Sequence, residues 1–135
     1  MGFLAPHTEK IYAAFRIMTG LLMAEHGFQK IFGWFGGMPD GVPAFIQYGA
    51  GGIELVGALL VAIGFFASPA AFLLSGTMAA AYFMGHAFSA MSNPTGSMIP
   101  MVNKGEIAVL YCFAFLYIAA KGSGIWSVDA ARGGK

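Results

Sequence analysis

Charge is what this sequence has least of. Seven Lys plus Arg and six Asp plus Glu make up 10% of 135 residues, against roughly 25% in ordinary soluble domains. A domain this small exposes much of its surface and needs polar side chains to cover it. So few charges, several of them inside apolar runs, exclude a water-soluble globule. Cysteine is nearly absent as well: Cys112 alone rules out an internal disulfide, a CxxC redox pair and a multi-cysteine metal site. A net charge of +1 with no Lys/Arg cluster leaves nothing to displace counterions from a phosphate backbone, which excludes nucleic acid as a partner. Any redox chemistry has to be borrowed from a cofactor or a partner protein.

What the sequence has instead is apolar surface: 58% hydrophobic residues, 20 Gly and 13 Phe, with a mean hydropathy of +0.71. Such a composition suits helices in a bilayer, where glycine lets helices approach closely and aromatics face lipid. Membrane lipid is therefore the first predicted partner.

Four apolar segments follow. The first runs from about 11 to 32 after a polar start, Pro6-His7-Thr8-Glu9-Lys10. It is too long for a signal peptide, carries Arg16, Glu25, His26 and Lys30, and shows no clean cleavage site, so it reads as a retained helix. Gly33 to Pro43 is a Gly/Pro/Asp-rich loop with Trp34 as an interfacial anchor. Between Glu54 and His86 no side chain is charged. That stretch is too long for one untilted span, and Ser68-Pro69 is the expected break, giving helices at about 46–67 and 70–91. Ser92-Asn93-Pro94-Thr95-Gly96 through Pro100 forms the next loop. A fourth helix covers about 105–120, closed by Lys121, Gly122 and Gly124. The expectation is all-α: a single domain over 1–135 that forms an integral membrane four-helix bundle. An even number of crossings puts both termini on one side with Lys10, Lys121, Arg132 and Lys135, against Lys30 and Lys104 opposite, which predicts both termini inside by the positive-inside rule.

The ionisable residues share a depth. Glu25, His26, Gln29 and Lys30 lie in the outer half of the first helix, Glu54 early in the second, His86 late in the third, and Lys104 with Glu106 at the start of the fourth. Glu25 and Gln29 are i,i+4 neighbours, as are His26 and Lys30, so they make one broad polar face. An ionisable group at membrane depth costs about 2.5–3.5 kcal/mol, and such groups turn inward, pair, or line a wet cavity. The predicted site is a cavity walled by His26, Lys30, Glu54, His86 and Glu106, with Glu25 beside it. Bland readings stand next to this one: Lys30 and Lys104 snorkel, Glu106 is a first-turn carboxylate, and Glu54 simply pairs Lys30. The histidines are suited to proton exchange near neutral pH and to donating hydrogen bonds to a lipophilic carbonyl. With no local ligand motif, neither a metal nor a haem is expected. At the other end Arg16 and Asp129 fall at one level, and a structural ion pair between them would tie Gly124 to Asp129 back onto the helices. Gly51-Gly52 with Gly57, and Gly76 with Ala79 and Ala80, offer small-residue surfaces for contact within the bundle or with a second copy, making a homo-oligomer.

At these positions the sequence resembles the DoxX family of small four-helix membrane proteins. The match rests on Arg16 followed by Glu25-His26-Gly27-x-x-Lys30, on Gly52-x-Glu54-x-x-Gly57 with Gly64, on Asn103-Lys104-Gly105-Glu106-x-Ala108-x-Leu110-Tyr111, and on Gly122-x-Gly124-x-Trp126-Ser127-x-Asp129. The resemblance implies a multi-pass protein of the cell inner (cytoplasmic) membrane. Some members resemble the small membrane subunit of an archaeal thiosulfate:quinone oxidoreductase, others a membrane component of mycobacterial oxidoreductase assemblies involved in oxidative stress resistance. It thus implies quinone as cofactor and oxidoreductase subunits as partners. Thiosulfate chemistry does not carry over, because no residue here identifies a sulfur site. The expected function is a quinone-linked membrane subunit of an oxidoreductase assembly. The alternatives are a non-enzymatic scaffold, assembly or lipid-binding protein, and a proton-coupled small-solute transporter, for which four helices leave little room unless copies assemble.

Overall fold

The computed structural model describes residues 2–88, 92 and 96–133. Among the described residues every regular element is helical. The principal helices are α1 (Thr8–Phe32), α2 (Gly51–Ile63), α3 (Ala67–Tyr82), the single-turn α4 (Pro100–Asn103), α5 (Glu106–Lys121) and the single-turn α6 (Val128–Ala131). A π-helical turn, Phe45–Ala50, leads into α2, and another, Phe83–Ala87, continues α3.

α1 begins with Glu9 in its first turn and ends with Lys30 in its last, both favourable to the helix dipole. Gly33, at φ 70°, caps it by donating its N–H to the Gln29 carbonyl. Two glycines on α1 set its partner. A Cβ on Gly20 would stand 2.7 Å from the Ala58 carbonyl oxygen, and one on Gly27 2.6 Å from Leu55, so only glycine allows the α1 and α2 backbones to lie this close. α2 in turn packs on α3, and α3 along α5. α1 and α5 touch only sparsely, which leaves a seam between them.

The break between α2 and α3 lies earlier than the sequence suggests. α2 stops at Ile63, and Gly64 at φ 71° closes it as the left-handed residue of a Schellman motif: Gly64 N–H bonds the Val61 carbonyl and Phe65 N–H that of Leu60. Ser68-Pro69 falls inside the first turn of α3, where a missing N–H leaves no hydrogen bond unmade. The expected break between helices at 46–67 and 70–91 is therefore corrected: the second helix ends at Ile63 and the third begins at Ala67. The expected end at 89–91, the loop residues Asn93-Pro94-Thr95 and Lys135 lie outside the described residues.

The interior is a run of Tyr12, Met23, Ala58, Val61, Leu74, Met78, Phe115 and Ile118. The outside is apolar too: Phe72, Leu110, Phe113 and Val56 are each at least 60% exposed. A helical protein that is apolar on both faces is built for lipid rather than water. Phe45–Ile63 and Ala67–Ala87, 19 and 21 residues long, are apolar and long enough to cross a membrane. α1 has 25 residues and the length to do so but carries charges, and α5, at 16 residues, extends only about 24 Å.

Candidate functional site

The polar face of α1 meets α2 through one ion pair. Lys30 Nζ donates to both Glu54 carboxylate oxygens, at 2.5 and 2.7 Å. Glu54 is 1% exposed and Lys30 16%. Gly51 makes this possible, because a side chain there would stand 2.7 Å from the Lys30 Cβ. A carboxylate buried this deeply is tolerable only when its partner is equally fixed.

The pair forms one wall of a cavity of about 240 Å³. His26 from α1, His86 from the π-helical turn after α3, and Lys104 and Tyr111 from the start of α5 and the turn before it complete the polar lining. Met23, Met78, Ala81 and Ile107 supply apolar walls. The His26 ring meets the edge of Tyr111 at 5.9 Å. His86 Nδ1 lies 3.2 Å from the Asn103 carbonyl oxygen. A carbonyl oxygen only accepts, so Nδ1 carries the proton, and Nε2 of the neutral ring is the acceptor. His86 stands in the π-helical turn Phe83–Ala87, and such turns tend to occur at functional sites, since they cost helix stability.

Lys104 reaches the cavity through a strained turn. Its φ is 63°, a left-handed conformation that a residue with a Cβ adopts at a cost of order 1–3 kcal/mol. Asn103 holds that turn: Gly105 N–H donates to its Oδ1 at 2.9 Å, and its Nδ2 donates to the Ser97 carbonyl at 3.2 Å and to the Tyr82 hydroxyl at 3.3 Å. Among the described residues Lys104 has no ion pair. With Lys30 balanced by Glu54, the cavity holds one cation and two histidines in excess. It is therefore rich in donors and suited to a ligand with acceptor oxygens.

His26, Lys30, Glu54 and His86, expected from the sequence, do come together. Glu25 and Glu106 do not: both are exposed and neither lines the cavity. Glu25 precedes His26 by one residue, which turns it about 100° around the helix, and Glu106 opens α5 as a first-turn carboxylate. Tyr111, Met23 and Met78 were not singled out, because aromatic and methionine residues in apolar runs give no sequence signal that separates lining from packing. Lys104 was visible within Asn103-Lys104-Gly105-Glu106, a turn signature that brings its side chain back to the helices.

At the opposite end the expected Arg16–Asp129 ion pair is not formed. Arg16 is fully buried and donates to backbone carbonyls: Nε to Val61 at 3.1 Å, Nη1 to Ser123 and to Ile125 at 3.1 Å, and Nη2 to Trp126 at 2.7 Å. Asp129 instead accepts from the Ser123 hydroxyl at 2.5 Å and the Phe66 N–H at 3.2 Å. The correction has a plain cause. The irregular segment 122–127 presents bare carbonyls that a guanidinium can gather, and the one-turn α6 carries Asp129 away to the α2–α3 turn, where its own N–H bonds the Gly64 carbonyl at 2.9 Å. The Ser123 hydroxyl holds the Asp129 carboxyl below its ordinary value of 3.8, with the Phe66 and Ala67 N–H groups adding to the effect against a smaller opposing effect of burial.

Apolar helices enclosing a polar, donor-rich cavity between them define a helical membrane protein with an internal ligand-sized space. The comparisons narrow this class. Residues 11–87 match the DoxX family, and an uncharacterised protein of Haemophilus influenzae is 33% identical over 132 residues, covering 96% of each chain. The chain belongs to the DoxX family. No solved structure matches it significantly.

Proposed function

We propose that this protein is a four-helix, multi-pass component of the cell inner membrane, a single domain with both termini inside, which binds a quinone headgroup in the cavity and serves as the membrane subunit of an oxidoreductase assembly. The observation that carries the reading is the convergence of His26, His86 and Lys104 on one cavity in which Glu54, the one carboxylate that lines it among the described residues, is already held by Lys30. A quinone ring is flat and apolar with acceptor oxygens on opposite edges, and the lining supplies N–H donors on separate helices together with the Tyr111 ring.

The bound quinone would supply an electron and proton carrier that moves within the bilayer. The chain's own residues bind, orient and manage protons. Lys104 Nζ and the His26 ring would donate to the ligand's oxygens; Lys30 holds the Glu54 carboxylate through two hydrogen bonds; and His86, its Nδ1–H held by the Asn103 carbonyl, would offer Nε2 as an acceptor. Electrons must come from partner subunits. Lys10, Lys121 and Arg132 at the Arg16 end support the orientation.

Purification in mild detergent followed by solvent extraction tests this. The expected result is a quinone that copurifies, with an absorbance change on reduction by borohydride. No retained quinone, and no binding of added quinone, overturns it.

A specific observation favours a second reading. The Lys30–Glu54 pair is complete within the chain, as expected of a scaffold whose polar network fixes one helix arrangement. In that case Glu54→Gln lowers stability and removes no ligand.

A further inference from the structure

The cavity has a neighbour. A second space, of about 200 Å³, lies along the seam where α1 and α5 fail to close, lined by Thr19, Leu22, Ile107, Leu110, Tyr111 and Ala114. Ile107 and Tyr111 also line the polar cavity, so the two spaces share walls. Their chemistry differs sharply. The first is bounded by two lysines, two histidines and a glutamate, whereas the second has no ionised side chain among the described residues and, beside Thr19 and Tyr111, an apolar lining.

The seam has a structural cause. Gly20 and Gly27 draw α1 onto α2, and α5 is held by α3, where Ser75 donates to the Cys112 carbonyl at 2.7 Å and Ser68 to that of Ala119. α1 and α5 are tied at the Arg16 end, where Lys121 pairs with Glu9 at 2.9 Å and the Tyr12 and Tyr117 rings meet, but among the described residues no hydrogen bond joins them along the groove between Thr19 and Ala114. Leu22 and Leu110, at the edge of the groove, are 43% and 66% exposed, which puts the opening on the apolar flank of the molecule. In a bilayer a cleft of this kind fills with hydrocarbon rather than water.

We infer that the groove is the tail half of a two-part amphiphile site: the carbonyl head of the ligand occupies the polar cavity while its apolar chain leaves between α1 and α5, across Tyr111 and Ile107, into the lipid. The inference rests on the function proposed above and adds the ligand's form and route. The ligand carries a linear apolar chain, and it enters sideways from the bilayer rather than from the aqueous phase. Ile107 and Tyr111, common to both spaces, mark where head passes into tail.

The test pairs two probes with one substitution. A tail-less benzoquinone and its decyl-substituted counterpart are titrated calorimetrically into the purified full-length protein in mild detergent. Ala114→Trp, at a position that lines the groove and not the cavity, should weaken decyl-quinone binding at least tenfold and change that of the tail-less probe less than twofold. The ratio of the two effects cancels partition of the decyl probe into detergent. Ala114→Leu should give an intermediate loss and serves if the tryptophan variant does not fold. Equal losses for both probes, or no loss for either, overturn the groove while leaving the headgroup site standing. Failure of the unsubstituted protein to bind either probe overturns the quinone reading and the groove together. Displacement of both probes by phosphatidylglycerol would assign the whole cleft to a structural lipid and overturn the inference as well.

Discussion

At one end of this molecule Arg16 is fully buried and its guanidinium is used up on the carbonyls of Val61, Ser123, Ile125 and Trp126. At the other, Lys30 finds Glu54, but His26 and Lys104 face a cavity with no hydrogen-bond partner among the described residues, and the helix that carries His86 widens into a π-turn. Both ends contain basic groups among apolar helices, and both face the same desolvation cost. The Arg16 end meets it with backbone carbonyls, most of them from an irregular segment. The His26 end leaves about 240 Å³ open and polar. A chain that needed only stability would close both ends alike, which is why the ligand is proposed at the open end.

The contrast breaks most visibly through Arg16. Arg16→Met removes the donor from four carbonyls at once, those of Val61 and Ser123 buried and those of Ile125 and Trp126 part-buried. Leaving a buried acceptor unmade costs about 1–3 kcal/mol, and a guanidinium bond contributes about 1.5–3 kcal/mol. The expected loss is about 4 kcal/mol or more, read as a large fall in the thermal midpoint in detergent, with release of the C-terminal segment to protease. A midpoint within a degree or two of the unsubstituted protein would mean that water reaches this end and that the two ends are not different in kind.

The Lys30–Glu54 pair is the corresponding lever at the other end, and it separates structure from function. Glu54→Gln leaves Lys30 uncompensated and is expected to lower stability by about 3 kcal/mol; the double change Lys30→Met with Glu54→Leu should recover most of that loss, because a buried pair replaced by apolar residues of similar volume is often close to neutral. Ligand retention should not recover with it. If the double variant regains both stability and quinone binding, the pair has no part in the site.

His86 should show the reverse balance. His86→Gln keeps a donor for the Asn103 carbonyl but has no titratable nitrogen, so stability should fall by about 1 kcal/mol or less. Quinone affinity should fall more than stability does, by about tenfold for one lost ligand contact, measured by calorimetric titration. Unchanged affinity would remove His86 from the site.

Depth was legible in the sequence and direction was not. His26 and Lys30, four residues apart, sit one above the other on α1, and Glu54 and His86 fall at the same level by counting residues from the helix ends. Counting says nothing of the angle around an axis, which is why Glu25 was grouped with them. Arg16 was placed at the right level and given the wrong partner, because backbone carbonyls appear at every position and carry no signal until an irregular segment frees them. Pro69 looked like a break because proline stops a helix from within, yet in a first turn it fits, and Gly64 made the turn. Lys104 depends on a left-handed φ that follows only from Asn103 gripping the Gly105 N–H.

The smallest effect tests whether the closed end is locked by its carboxylate as well as by Arg16. The Asp129 carboxyl is held below its ordinary value of 3.8, chiefly by the Ser123 hydroxyl. A group whose value is lower in the folded state adds stability that is fully present above its unfolded value and is lost as pH falls through the folded one. The protein should therefore hold a constant midpoint from neutral pH down to about pH 4 and lose stability below it. The Lys121–Glu9 pair gives the opposite case, since the Lys121 ammonium is raised above 10.5 by its bond to Glu9 and that contribution is lost only at strongly alkaline pH. Asp129→Asn keeps an oxygen for the Phe66 N–H but abolishes the titration, so it should flatten the acid limb while shifting the neutral midpoint little. If the acid limb keeps its slope in Asp129→Asn, the C-terminal segment is held by Arg16 and by the Tyr12 hydroxyl, which donates to the Gly122 carbonyl, and the closed end owes its closure to α1 rather than to the turn at Gly64.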